Sequence, residues 1–164
     1  MARRSGTALI VDDDVMIRAV LAELLDELDF DVQTASNGFS AVRLAAEQRP
    51  DLVLLDLALP EVSGADVLRE LRASAATRDA AVVVVTGNPQ TLSEAELEHV
   101  DGIALKPFDV PGLLLTVERA LQEAAARQAG TGHVTDAAAA KDARHEHVRP
   151  VRHRPPPHRS THHR

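Results

Sequence analysis

The chain has 164 residues, enough for one domain with a real core and too few for two ordinary ones. Apolar residues make up 45% of it, with no Trp, no Tyr and three Phe, so the core must be aliphatic; the absence of Cys excludes disulfides, thiolate metal sites and cysteine nucleophiles. Residues 1–128 hold 11 Lys and Arg against 22 Asp and Glu, a balance of −11, whereas 129–164 hold 7 against 3, a balance of +4. So acidic a first part is a poor nucleic-acid binder by itself.

The start, MARRSGTALIVDDD, has an arginine pair, but its apolar stretch ends after a few residues in three aspartates, unlike a secretory signal. No run is long enough to span a membrane, and a cytoplasmic location is expected. Along the chain the apolar spacing alternates between two periods. TALIV (7–11) is a short continuous run that predicts a strand, and Ile17, Val20, Leu21, Leu24, Leu25 and Leu28 then recur at the three-four spacing of one helix face. FDVQTA (30–35) predicts a second strand, and GFSAVRLAAEQ (38–48) a helix with Phe39, Val42 and Ala46 inward. DLVLLDL (51–57) predicts the third strand, followed by a helix over 65–73 carrying Val67, Leu68 and Leu71. AAVVVVT (80–86), β-branched and apolar, is the fourth. Ser93 with Glu96 three residues on reads as a capping box opening a short helix over 93–100. GIAL (102–105) is the last strand, and Leu113, Leu114, Val117 and Leu121 mark a helix over about 110–128.

Five strands alternating with five helices predict an α/β fold with a parallel sheet covered on both faces, which explains why the strands are solid apolar runs. The expected order is the flavodoxin-like 2-1-3-4-5, with a crevice at the C-terminal ends of strands one and three. The polar residues fall where that order would gather them. Asp12, Asp13 and Asp14 follow the first strand, Asp56 ends the third, Thr86 the fourth and Lys106 the fifth. Asp56 stands in a run of leucines, where an unpaired buried charge would cost several kcal/mol, so it must surface or be compensated.

Three carboxylates in one crevice call for a hard cation, and Asp12, Asp13 and Asp56 are the expected ligands of Mg²⁺. Asp14 is expected to cap the helix behind them. Such a site can turn Asp56 into a nucleophile toward phosphorus, with Lys106 and the Thr86 hydroxyl holding phosphoryl oxygens. No Ser-His-Asp or Cys-His arrangement and no glycine-rich phosphate loop is present, and His99 is expected at the surface.

LIVDDDVMIR, DLVLLDLALPEVSG, VVVVTG and LKPFD together resemble, in order and spacing, the motifs of bacterial response-regulator receiver domains, the phospho-accepting modules of two-component signalling. The resemblance covers about residues 7–127. It implies that Asp56 accepts a phosphoryl group from a histidine kinase or histidine phosphotransfer protein. It also implies that Asp12 and Asp13 hold Mg²⁺ with the Ala58 carbonyl, that Thr86 is the switch hydroxyl, that Lys106 pairs with the phosphoryl group, and that Pro107 follows a cis peptide. The chain departs from the pattern at Ile103, where an aromatic is usual, at Gly87, where Ala is usual, and in a segment 86–106 about two residues shorter than common. Gly87 and Pro89 predict an altered or mobile start to the fourth helix.

The expected organisation is a receiver domain over 1–128 and a disordered Arg-, His- and Pro-rich tail over 129–164 with almost no large apolar residue. No DNA-binding domain is read in the chain, so the output is expected to be binding to a protein partner. Two other readings stay open: a degenerate receiver that binds without phosphorylation, and a metal-dependent aspartyl phosphatase. The latter normally has a second carboxylate two residues after the nucleophile, where this chain has Ala58.

Overall fold

The structure is a computed structural model that describes the backbone of residues 6–142, with side chains through Gly130. The chain divides into two units, Met1–Gly130 and Thr131–Arg164. In the first, β1 (Gly6–Val11), α1 (Val15–Glu27), β2 (Phe30–Ala35), α2 (Gly38–Gln48), β3 (Leu52–Leu55), α3 (Gly64–Ala73), β4 (Ala81–Thr86), α4 (Glu94–Leu97) and β5 (Gly102–Leu105) follow in order, and α5 spans Val110–Asp142. The strands form one parallel sheet in the order β2-β1-β3-β4-β5, the flavodoxin-like order expected for five doubly wound strands.

Both faces of the sheet are covered, and the strands divide their side chains between them by the two-residue period. Ala8, Ile10, Leu52, Leu54, Val83 and Val85 pack with Leu21 and Leu25 of α1 and Leu113 and Val117 of α5. Leu9, Val11, Val53, Leu55, Val82 and Val84 pack with Ala41 and Ala45 of α2 and Val67, Leu68 and Leu71 of α3. The central strands are therefore apolar over Ala8–Val11, Leu52–Leu55 and Ala81–Val85, while edge strand β2 exposes Asp31, Gln33 and Thr34. Truncating a central side chain such as Leu54 to Ala would cost about 2–5 kcal/mol.

The α2 face differs from the one the sequence predicts. Ala41 and Ala45 are inward, Ala46 is exposed and Phe39 is 66% exposed. The start of α2 lies close against the loop before α3, where a Cβ on Gly38 would stand 2.7 Å from Val62 Cβ, and from there the helix turns Ala41 and Ala45 into the core. On α1, Val20 and Leu28 likewise lie at the exposed margin of the apolar stripe.

The fourth helix is altered as expected. It is a single turn with no buried residue, preceded by a 3-10 turn at Pro89–Thr91, and Asn88 is non-helical. The Ser93–Glu96 capping box is formed in both directions. Past Gln128, where the sequence reading ends the last helix, α5 is helical to Asp142. The four consecutive alanines Ala137–Ala140 are the strongest helix formers there. The remainder of the expected tail, 143–164, lies outside the described residues.

Candidate functional site

Strand register brings the site together. Val11 of β1 pairs with Leu55 of β3, so the next residue of each, Asp12 and Asp56, leave the sheet side by side, and Asp56 N donates to Val11 O at 2.9 Å. Thr86 pairs with Leu105, so Lys106 follows directly, its N donating to Thr86 O at 2.9 Å. Asp12, Asp56 and Thr86 are buried, at 1%, 5% and 1% exposure, and Asp13 is exposed at the rim.

One carboxylate oxygen from each of Asp12, Asp13 and Asp56 lies within 4.8 Å of the others. Lys106 Nζ reaches into this cluster, 2.6 Å from Asp12 Oδ2 and 3.0 Å from Asp56 Oδ2. Burial alone would lower the Lys106 ammonium, but hydrogen bonds and charge from Asp12 and Asp56 outweigh it and hold the group above the ordinary lysine value. The two buried carboxylates are also aimed by the backbone. Asp12 Oδ1 accepts from Asp14 N at 2.9 Å and Asp56 Oδ1 from Ala58 N at 3.2 Å, which orients these two toward the point that the Asp13 carboxylate also approaches. Asp14 itself caps α1, accepting from Met16 N and Ile17 N. The donor set is all oxygen and carries three negative charges against one ammonium, which fits a hard divalent cation.

Thr86 Oγ1 accepts from Asn88 N at 3.2 Å, and beside it a cavity of about 220 Å³ is lined by Leu57, Ala58, Ser63 and Thr91 among others. The Lys106–Pro107 peptide is cis. Ile103, in the usual aromatic position, is on edge strand β5 at 37% exposure, and Leu105 beside it is at 56%. His99 is exposed, as expected, and its carbonyl accepts from Arg72.

Two supporting residues escape the sequence reading. A Cβ on Gly64 would stand 2.3 Å from Asp56 O and 2.5 Å from Leu57 Cα, so the first turn of α3 sits directly on the peptide that carries Asp56. Gly64 N also donates to Leu57 O at 3.0 Å, closing the loop between β3 and α3. Arg18 Nη1 donates to Asp12 O at 2.8 Å and ties α1 to the same edge. The Ser63–Gly64 pair signals only a helix start, and nothing in the spacing of Arg18 marks it.

The response regulator receiver domain model matches residues 8–118. The chain belongs to that family. This receiver is 34% identical over 114 residues to the regulatory protein AtoC of Escherichia coli, covering 70% of this chain and 25% of AtoC. It is 36% identical to the transcriptional regulator RpaA of Synechocystis, covering 70% and 48%. It is 30% identical over 120 residues to the polar-differentiation response regulator DivK of Brucella anthropi, covering 72% and 98%. The chain thus spans a quarter to a half of the first two relatives and almost all of the third. Among solved structures, the receiver domain of a Pseudomonas aeruginosa sensor histidine kinase superposes with a TM-score of 0.63 at 28% identity over 71% of this chain and 98% of that one; it has magnesium coordinated in its active-site cleft. A CheY-like receiver from Methylobacillus flagellatus gives 0.62 at 30% identity over 72% and 97%. As a receiver, the domain is a regulatory signalling module of two-component systems. Among the described residues no helix is long and apolar enough to cross a membrane.

Proposed function

We propose that this receiver takes a phosphoryl group on Asp56 from a phosphohistidine of a histidine kinase or phosphotransfer protein and thereby changes which protein it binds. The observation that supports this most is the buried Asp56 carboxylate, presented beside Asp12 and Asp13 and held by Lys106 at 3.0 Å. In the transfer, a carboxylate oxygen of Asp56 forms the new O–P bond, the donor's N–P bond breaks, and the electron pair stays on the imidazole, which takes a proton from solvent. Asp12, Asp13, Asp56 and the Ala58 carbonyl would hold Mg²⁺, which supplies the positive charge that lets an anionic phosphoryl group approach a carboxylate. Lys106, already between Asp12 and Asp56, then pairs with a phosphoryl oxygen. Thr86 exchanges its contact with Asn88 N for another phosphoryl oxygen, a rearrangement for which the adjoining cavity leaves room.

The readout runs through the elements next to Thr86 and Lys106, namely α4, β5 and the start of α5. Ile103 carries no ring that could swing with Thr86, so the signal travels through backbone shifts of the short α4 segment, which buries nothing and is held mainly by its capping box. Hydrogen exchange tests this: α4 amides should exchange far faster than those of α5 over 113–124, and equal protection would count against it.

Wild type incubated with Mg²⁺ and a small-molecule phosphodonor should gain one phosphoryl group by intact mass, and Asp56→Asn none. Equal incorporation in both would sink the proposal. No incorporation in either, with retained partner binding, would favour the phosphorylation-independent module. Turnover of a phosphoester would favour the aspartyl phosphatase, against which Ala58 stands, since its methyl group cannot serve as acid or base.

A further inference from the structure

Phe39 is the side chain that the fold leaves in the least expected place. Of the three phenylalanines, Phe30 is buried, Phe108 is half-buried, and Phe39 stands 66% exposed at the first turn of α2. It forms one wall of a groove of about 460 Å³ between α2 and α3, with Val42 beside it and Val62 in the floor. The opposite rim carries Asp66, Arg69 and Glu70. An aromatic ring presented beside an apolar groove deep enough for another ring is both a knob and a hole.

We propose that this groove is a self-association surface, on which two copies of the chain meet about a two-fold axis, each laying its Phe39 into the other's groove. A two-fold contact requires a surface complementary to itself, and the groove has both halves of each pairing. The apolar knob and its pocket lie side by side, and the rim carries both signs of charge. The Arg69 side chain is 62% exposed, and its ion pairs, 2.7 Å to Asp66 and 3.6 Å to Glu96, cost little to exchange for the partner copy's Asp66 or Glu70, while its Nε keeps the Ala65 carbonyl at 3.4 Å. Elsewhere the domain is strongly acidic, with −11 over residues 1–128, which opposes the meeting of two copies at most other faces. The exposed charges of α2 and α3 are nearly balanced, with Arg43 and Arg69 against Glu47, Asp66 and Glu70. A strongly basic or acidic partner would leave half of that rim mispaired, whereas a second copy supplies its complement. The contact is small and belongs among weak, concentration-dependent interfaces.

Sedimentation velocity of the full chain over a rising concentration series tests the proposal. Wild type should shift toward a dimer, and Phe39→Ala should raise the dissociation constant by about tenfold or more. Arg69→Glu and Glu70→Arg should each self-associate poorly, while an equimolar mixture of the two should regain dimer, because one rim is then acidic and the other basic. All three side chains are exposed, so the variants should fold, and circular dichroism checks that they do. A wild type that stays monomeric throughout would overturn the proposal. So would a dimer insensitive to Phe39→Ala but dissolved by Leu105→Ala on β5.

Discussion

The two ends of the parallel sheet use the same materials, buried carboxylates and long cations, in opposite proportions. At the C-terminal end Asp12, Asp13 and Asp56 share one ammonium, Lys106. At the N-terminal end a single carboxylate, Asp101, is held between two guanidinium groups, Arg72 at 2.9 Å and Arg127. Asp101 also accepts from Val82 N, and Arg72 spends its remaining donors on the carbonyls of His99, Arg78 and Ala80 at 2.7–2.9 Å. Burial pulls the Arg72 guanidinium below its usual value; Asp101 opposes the drop and Arg127 adds to it. Where each Arg72 nitrogen meets a carbonyl or carboxylate, the cluster joins α3, β4, β5 and α5. Where negative charge exceeds positive, the cluster has the composition that the proposed cation site needs. The contrast separates a structural ion cluster from the one we propose to be reactive.

The contrast is most sharply tested at Asp101. Asp101→Ala removes the carboxylate partner of the largely buried Arg72 guanidinium and of the Val82 amide, with the exposed Arg127 contributing little, and should lower stability by about 2–4 kcal/mol in urea denaturation. A loss under about 1 kcal/mol would mean that water replaces the carboxylate and that the two ends do not differ as described. Next in size is Gly64→Ala. The added methyl must displace the Asp56 peptide, so a loss of about 1–3 kcal/mol is expected together with slower phosphorylation. Full phosphorylation rate with reduced stability would show that the loop moves without carrying Asp56 with it.

How much of this can be read from the residues differs between the two ends. The reactive end is legible because parallel topology brings every strand terminus to one edge. Asp12, Asp56, Thr86 and Lys106 can each be assigned to a strand end by hydrophobic pattern alone, and the register Val11 to Leu55 does the rest. The structural end is not, because Arg72, Asp101 and Arg127 lie on a helix, at the entrance to β5 and on another helix, with no shared period to connect them. Phe39 misleads for a related reason. Spacing assigns a helix face from side-chain size, whereas α2 turns the small Gly38, Ala41 and Ala45 inward. Gly64 acts through the room it leaves rather than through a group it contributes, and a pattern of polar residues does not register such a contribution.

A smaller effect of opposite sign is expected at the reactive end. Asp13→Asn removes one of three mutually repelling carboxylates without touching either Lys106 contact. In EDTA it should raise stability, by at most about 1 kcal/mol given the exposure of Asp13. The gain in melting temperature on adding Mg²⁺ should shrink at the same time, because binding to the folded state stabilises in proportion to affinity. A variant less stable than wild type in EDTA would mean that Asp13 is held by attraction and that the surplus of negative charge is only nominal.

The smallest effect lies in the alkaline limb. Lys106 gains Asp12 and Asp56 on folding, and its ammonium is held above its ordinary value despite burial. The folded chain therefore binds this proton more tightly than the unfolded one. The resulting stabilisation is complete below the unfolded lysine value of about 10.4 and is lost as the pH rises through the higher folded value. Denaturation midpoints in EDTA should accordingly fall above about pH 10 in wild type, and Lys106→Met should lack that component. Below that range the same variant leaves Asp12 and Asp56 facing each other without their cation, so its stability should depend more steeply on Mg²⁺ than that of wild type. If Lys106→Met kept the wild-type alkaline limb, the loss would belong to other groups. Lys106 would then be a surface lysine lying across the cleft, not the counter-charge that holds it together.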